Sequence, residues 1–370
     1  MPRFSYRHAA RWIARSTAAG FLVAGLACGG DGPTNPPATG FLGGTTDNHE
    51  IGLVVNSTGK SLTLFQLGSP TTQKQIALGT SSTVTPTGFA VQGRRAAIPL
   101  GNAASVALID LERQSIARYF TFPSGNATGV AFIDDTTIAV ANSITAKVGR
   151  MTTGQTADAI AVTADVAPQP TAITLSNGRV LVTSANLDEN YAPIDNGIVT
   201  AIDAKTFQVL GSVKTGGTNS TDAAMGPDGY LYVLNTGDYV APGSMTIVNP
   251  ATMQVVTTVT GVGVGPGAIY IDGAGLAYIS GYASGTIVYD TKTRTFVRDA
   301  NNPVCAKVGN ACRGAFSAAT SANGNVYQLF FGSAAQGLAP YAFVYRAGTF
   351  ALVDSIAVGS GPASIKIRTF

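Results

Sequence analysis

Along most of this chain apolar and polar residues alternate over only five or six positions before a turn signal interrupts. The stretch "GPDGYLYVLNTGD", Gly226 to Asp238, shows the pattern: a turn, then a short apolar run. A period of two between clusters of Gly, Asn, Asp and Pro predicts short strands joined by tight turns. Strong helix formers never gather into a long segment with a period of 3.6, so the chain reads as all-β.

The turn signals recur at nearly even spacing. They fall at Gln92-Gly93, Asp134-Asp135, Asn177-Gly178, Asp228-Gly229, Asp272-Gly273 and Asn323-Gly324, at intervals of 42, 43, 51, 44 and 51 residues. A period in the forties, built from four short strands, is the mark of a β-propeller blade. One unit can be read in full from Gly267: "GAIYID", the turn "GAG", then "LAYIS", the loop "GYASG", "TIVYDT" and "TFVRDA". First strands of successive units are "TGFAVQ", "TGVAFI", "TAITL", "DAAMG", "GAIYID", "AFSAAT" and "ASIKIR", which makes seven blades. The chain enters on a second strand ("IGLVV", 51–55) and leaves on a first strand ("ASIKIR", 363–368). The two ends are therefore expected to complete one blade and leave no free edge.

Tyr232-Val-Leu-Asn235, "TIVNPATMQVVTTV" from Thr246 and "GPDG" from Gly226 give the unit its character. Weaker echoes are "LVVNSTGKSLTLFQL" from Leu53, "VALIDLERQSIARYF" from Val106, "VTAIDAKTFQVLGSV" from Val199 and the closing "VGSGPASIKI". In these motifs residues 50–370 resemble the YVTN-repeat seven-bladed β-propellers. Some propellers of neighbouring families are lactonases or lyases that use carboxylates with His, Arg or a divalent metal.

Composition agrees with a large buried core: of 370 residues 45% are hydrophobic and 12% charged, too few charges for a disordered chain. The first 27 residues stand apart. "MPRFSYRHAARWIARS" carries four Arg and no acid, and "TAAGFLVAGLA" is an apolar run of about 11 residues, which reads as a secretory signal. A membrane-spanning helix needs about 20. "GLAC" resembles the bacterial lipobox, whose cysteine becomes the lipidated first residue; that family favours Leu three before the cysteine, where this chain has Gly25 with Leu26 next. Lipidation of Cys28 is expected, with cleavage near Ala27 and an unmodified Cys28 as the alternative. Residues 28–49, rich in Gly, Pro, Thr and Asn, then form a flexible tether. Gly29, where Asp would signal inner-membrane retention in some bacteria, favours the outer membrane.

Without residues 1–27 the chain holds 19 Lys and Arg against 20 Asp and Glu, a net charge of −1. A near-neutral domain lacks the clustered cations that nucleic acid demands. In an exported chain, Cys305 and Cys312 of "CAKVGNAC" read as a disulfide rather than a zinc site, which would need further ligands nearby.

Candidate chemistry lies in three long loops that share one face of the ring: 184–197, 235–244 and 330–343. Each combines Tyr with an Ala-Pro pair. They nominate Asp188, Glu189, Tyr191, Asp195, Asp238, Tyr239 and Tyr341 as an acidic, aromatic recognition rim that needs no residue from the short loops, while Tyr282, in the short loop "GYASG", is a further tyrosine able to stack on a ligand. Solvated insertions stiffened by Pro are the bland alternative. Asp188, Glu189, Asn190 and Asp195 offer oxygen ligands for calcium but lack the EF-hand spacing, so no cofactor is assigned. His49 is the one histidine beyond the signal, which argues against His-based catalysis and multi-His metal sites. No G-x-S-x-G occurs. "GVGVGPGA" from Gly261 leads into a strand, not a helix, and so fails as a dinucleotide motif. Trp12 goes with the signal, leaving tyrosines as the stacking residues for a sugar.

The expectation is an exported, lipid-anchored, monomeric seven-bladed propeller of the cell envelope. It would bind a protein, glycan or small molecule, touch the membrane only through its anchor, and carry no nucleic-acid site. The enzyme alternative is a metal-assisted lactonase or lyase using the loop carboxylates.

Overall fold

The structure, a computed structural model, describes residues 40–43, 49–308 and 311–370, all within the compact unit Thr39–Phe370. The signal at 1–27, Cys28 and most of the tether, all but 40–43 and 49, lie outside the described residues.

Seven four-stranded antiparallel sheets form the blades of a propeller. In blade 5, Ser220–Met225 is innermost, followed by Leu231–Asn235, Pro242–Asn249 and Gln254–Val264. The second strand of a blade is flanked on both edges and covered on both faces, so it reads as a continuous apolar run: every residue of Leu231–Asn235 is buried. Outermost strands need only one covered face. Ser69–Ala77, "SPTTQKQIA", is accordingly polar and largely exposed. Seven hydrophobic clusters hold the ring, one at each boundary between adjacent blades.

Closure occurs where the sequence places it. Glu50–Asn56 pairs with Pro362–Thr369 on one side, from Glu50 opposite Thr369 to Asn56 opposite Pro362, and with Ser61–Gln66 on the other. Ile365 and Ile367 then pack against Val54, Phe65 and Leu329 at the boundary between blades 7 and 1.

The repeated motifs have identifiable physical roles. Asn235, ending the second strand of blade 5, donates to Ser244 Oγ (3.0 Å) and Thr246 Oγ1 (2.9 Å) and accepts from Ser220 Oγ (2.7 Å), tying three strands together. Asn56 makes a related bond to Thr63 Oγ1 (2.8 Å) in blade 1. Third strands end on Asp203, Asn249 or Asp290, whose side-chain oxygens accept backbone N–H groups of the following turn. At Asn177-Gly178 both residues have positive φ (46° and 74°), as a two-residue hairpin with the strand twist requires.

The turn read as "GAG" in blade 6 ends at Gly275 (φ 94°), where Asp272 Oδ1 accepts from both Ala274 and Leu276 N–H at 2.9 Å. One connection is more elaborate than the sequence reading. The segment joining blades 6 and 7 holds an additional hairpin, Lys307–Val308 with Ala311–Cys312. The Cys305–Cys312 disulfide closes it, with a Cα–Cα separation of 5.5 Å. Gln328, buried in blade 7, fastens this excursion by donating to Val304 O (2.7 Å) and to Thr286 Oγ1 (2.8 Å) of blade 6.

Candidate functional site

The seven innermost strands can be superposed by register. At their third position stand Phe89, Val130, Ile173, Ala223, Ile269, Ala318 and Ile365, one in each of the seven boundary clusters. The second and fourth positions are small. Gly88, Gly129, Ala172, Ala268, Ser317 and Ser364 occupy the second, and Ala90, Ala131, Thr174, Ala224 and Ala319 the fourth. Three residues break this rule: Asp222 at the second position of blade 5, Tyr270 at the fourth of blade 6 and Lys366 at the fourth of blade 1. Small side chains leave a cavity of about 760 Å³ along the axis, within the range that holds a drug-sized ligand. Asp222, Lys366 and Arg368 are the charged residues that line it.

Asp222 is held rather than free. Its Oδ2 accepts from Ile269 N–H of the next blade (2.9 Å) and its Oδ1 from its neighbour Ala223 N–H (2.9 Å). The carboxylate thereby clamps two inner strands together. Desolvation nonetheless outweighs these bonds and pushes the carboxyl up to about 6. Lys366 has a different environment. Among the described residues its Nζ has no hydrogen-bond acceptor and no ion pair, only the face of Phe89 at 5.6 Å. Desolvation, with the Arg368 charge beside it, pushes the ammonium down to about 8, against the attraction of Asp222. Both side chains touch channel space with part of their surface while protein surrounds the rest. Tyr270 OH meets Thr320 Oγ1 at 3.1 Å, bridging toward blade 7.

One mouth of the cavity is aromatic. Tyr239 and Tyr282 lie with ring centroids 5.9 Å apart, and Phe316 and Phe331 with centroids 4.7 Å apart; all four line the cavity. They come from the elaborated side of blades 5, 6 and 7. Tyr239 adopts φ 63°, uncommon for an aromatic residue, and its carbonyl accepts weakly from Tyr282 OH at 3.4 Å.

Of the rim residues nominated from sequence, Tyr239 is the one that lines the cavity, and Tyr282 joins it. Asp238 caps its own loop by accepting from Val240 and Ala241 N–H (2.9 Å each), which holds its carboxyl below the usual range. Asp188 likewise accepts from the N–H groups of Asn190 (2.8 Å) and Ala192 (2.9 Å) in its own loop. Asp195 pairs with Lys214 and accepts from Asn196 N–H, Lys214 doing most to depress its pKa. Glu189 and Tyr191 are exposed beside Asp188, outside the cavity lining. Tyr341 stacks on Phe343 (5.7 Å) and packs into the boundary between blades 6 and 7. Among the described residues no three His, Cys, Asp or Glu side chains come together as a metal-binding group.

Asp222 and Lys366 were not reached by the sequence reading. A signal did exist: aligned by column, the first strands give Ala, Ala, Thr, Ala, Tyr, Ala, Lys at the fourth position, and a lysine stands out there.

No protein-family model matches the chain, and no curated protein matches it in sequence. Solved structures share the propeller. Hydrazine synthase of Kuenenia stuttgartiensis superposes with a TM-score of 0.60 at 12% identity, over 79% of this chain and 97% of that one. A functionally unknown protein from Desulfotomaculum acetoxidans superposes with a TM-score of 0.61 at 14% identity, over 86% of this chain and 98% of that one. At such identities the likeness is one of fold: the chain is a seven-bladed β-propeller.

Proposed function

We propose that the protein is an exported, lipid-anchored binding module of the cell envelope, related to the YVTN-repeat propellers, and that its ligand enters the axial cavity through the aromatic mouth. One observation carries the reading. At the second and fourth positions of the inner strands the residues are Gly, Ala, Ser or Thr in all but three places, and the cavity of about 760 Å³ opens beneath four aromatic rings. A core built only for stability would fill such space, because each buried methylene contributes about 0.8 kcal/mol. The Cys305–Cys312 bridge supports an oxidising compartment, and the lipobox-like "GLAC" supports the anchor.

Gly88 provides the test. It lines the cavity, and a Cβ built there meets nothing within 4 Å, so Gly88→Trp should obstruct the channel without displacing the backbone. Equilibrium dialysis of wild type and Gly88→Trp against an extract of the source cells should show small molecules retained by the first and lost from the second. Equal retention by both proteins would exclude the channel as the binding site.

A further inference from the structure

The cavity is not uniform along its length. Its mouth is aromatic, while three strand positions further in, roughly 10 Å at 3.3 Å per residue, the wall carries Lys366. Arg368 follows two residues later on the same strand and so on the same face. Part of the Arg368 guanidinium is already engaged with Ile367 O at 3.0 Å. The Lys366 ammonium is not so engaged: it has three N–H donors and no acceptor among the described residues. Polar groups withdrawn from bulk water are ordinarily satisfied, and an ammonium in a channel wall is satisfied well by an oxyanion.

The charge count gives the valence. Two cations and one carboxylate line the cavity, and Asp222 sits nearer the aromatic mouth than Lys366 does. A single negative charge brought to Lys366 completes neutrality, whereas a second would have to lie close to the clamped Asp222 carboxylate. Tyr270, at the same strand level as Lys366, turns its hydroxyl toward Thr320.

We infer that the channel takes a small organic acid carrying one negative charge, its oxyanion against Lys366 and an apolar or aromatic body about 10 Å long reaching the rings of Tyr239, Tyr282, Phe316 and Phe331. This rests on the channel being the binding site. It narrows the ligand from any compound of suitable size to a carboxylate or sulfonate with an unsubstituted apolar end. Binding is non-covalent, and the neutral amide of the same shape fits the cavity and can accept one hydrogen bond from the ammonium but leaves its charge uncompensated.

Titration calorimetry of the whole domain with biphenyl-4-carboxylate and with its neutral isostere biphenyl-4-carboxamide, at pH 7, separates the two levels. Wild type should bind the carboxylate at least tenfold more tightly than the amide. Lys366→Met should erase that preference while leaving amide binding unchanged, and Lys366→Arg should keep it. Melting profiles of both variants confirm that each is folded. If both probes bind wild type equally, Gly88→Trp blocks both and Lys366→Met alters neither, the channel reading stands and the organic-acid inference falls. If neither probe binds at millimolar concentration the organic-acid inference falls alone, the channel being judged by retention from the extract; if Gly88→Trp still binds both, the channel reading falls with it.

Discussion

Replacing Lys366 with Met should stabilise the protein, an unusual expectation for a residue on an inner strand. Desolvation lowers the ammonium from 10.5 to about 8, and 1.36 kcal/mol per unit sets an upper bound of about 3 kcal/mol on the penalty for keeping it charged. Channel water reduces that figure. Loss of the contact with Phe89, worth about 0.5–1 kcal/mol, offsets more of it, the attraction to Asp222 being already contained in the lowered value. A net gain of about 1–2 kcal/mol remains, roughly 2 °C in melting temperature for a domain of this size. The sign with pH follows from a base whose folded pKa lies below its unfolded value. The penalty is complete below about pH 8 and disappears as pH rises toward 10.5, where the folded and unfolded states are both losing the proton. Urea unfolding followed by far-ultraviolet circular dichroism, at pH 7 and again near pH 10.5, is the assay. A higher midpoint for Lys366→Met at pH 7 that shrinks at the higher pH is expected. A lower midpoint at pH 7, or a gain independent of pH, would show that the ammonium is well solvated or well paired, and the argument for an unsatisfied cation would fail.

Asp222 should give the opposite pH signature, since its folded pKa of about 6 lies above the ordinary 3.8: wild type should lose up to about 3 kcal/mol from this group as pH rises from 4 to 6. Unfolding midpoints of Asp222→Asn should lack that descent, and parallel profiles for the two proteins would contradict it. Replacing Cys305 and Cys312 together with Ser should lower stability by about 2.5 kcal/mol, and denatured, unreduced wild type should show no reactive thiol from this pair. Asp188, Asp195 and Asp238 converted together to Asn should leave ligand retention unchanged and stability within about 0.5 kcal/mol per site, because Asn oxygens can still accept the loop N–H groups; lost retention would move the site to the loops.

The architecture was legible because each blade repeats one problem, that of burying a second strand on both faces, and solves it with the same apolar run and turn. Closure was legible because "IGLVV" and "ASIKIR" each begin or end a unit out of phase. The candidate site was less so. Loop length drew attention to Asp188, Asp195 and Asp238, yet loop length carries no information about direction, and their carboxylates fold back onto their own N–H groups or onto Lys214. Tyr239 and Tyr282 come together because their loops occupy equivalent places in adjacent blades. Asp222 and Lys366 each sit singly in a strand of ordinary appearance, and it is ring geometry, not local sequence, that places them in one cavity.

The pairing of Glu50–Asn56 with Pro362–Thr369 imposes a timetable on the chain's assembly. Three strands of blade 1 are neighbours in sequence, but their fourth lies at the far end of the propeller, beyond six intervening blades. Its pairing waits on closure of the whole ring, an interval long beside the microseconds in which a hairpin forms. Throughout that interval "EIGLVVN", every residue of which but Glu50 is buried in the finished ring, presents an unpaired apolar edge. A chain cut short by even its last strand would keep that edge permanently, so ring closure acts as a check on completeness: only a full-length product can hide the segment that would otherwise recruit its neighbours.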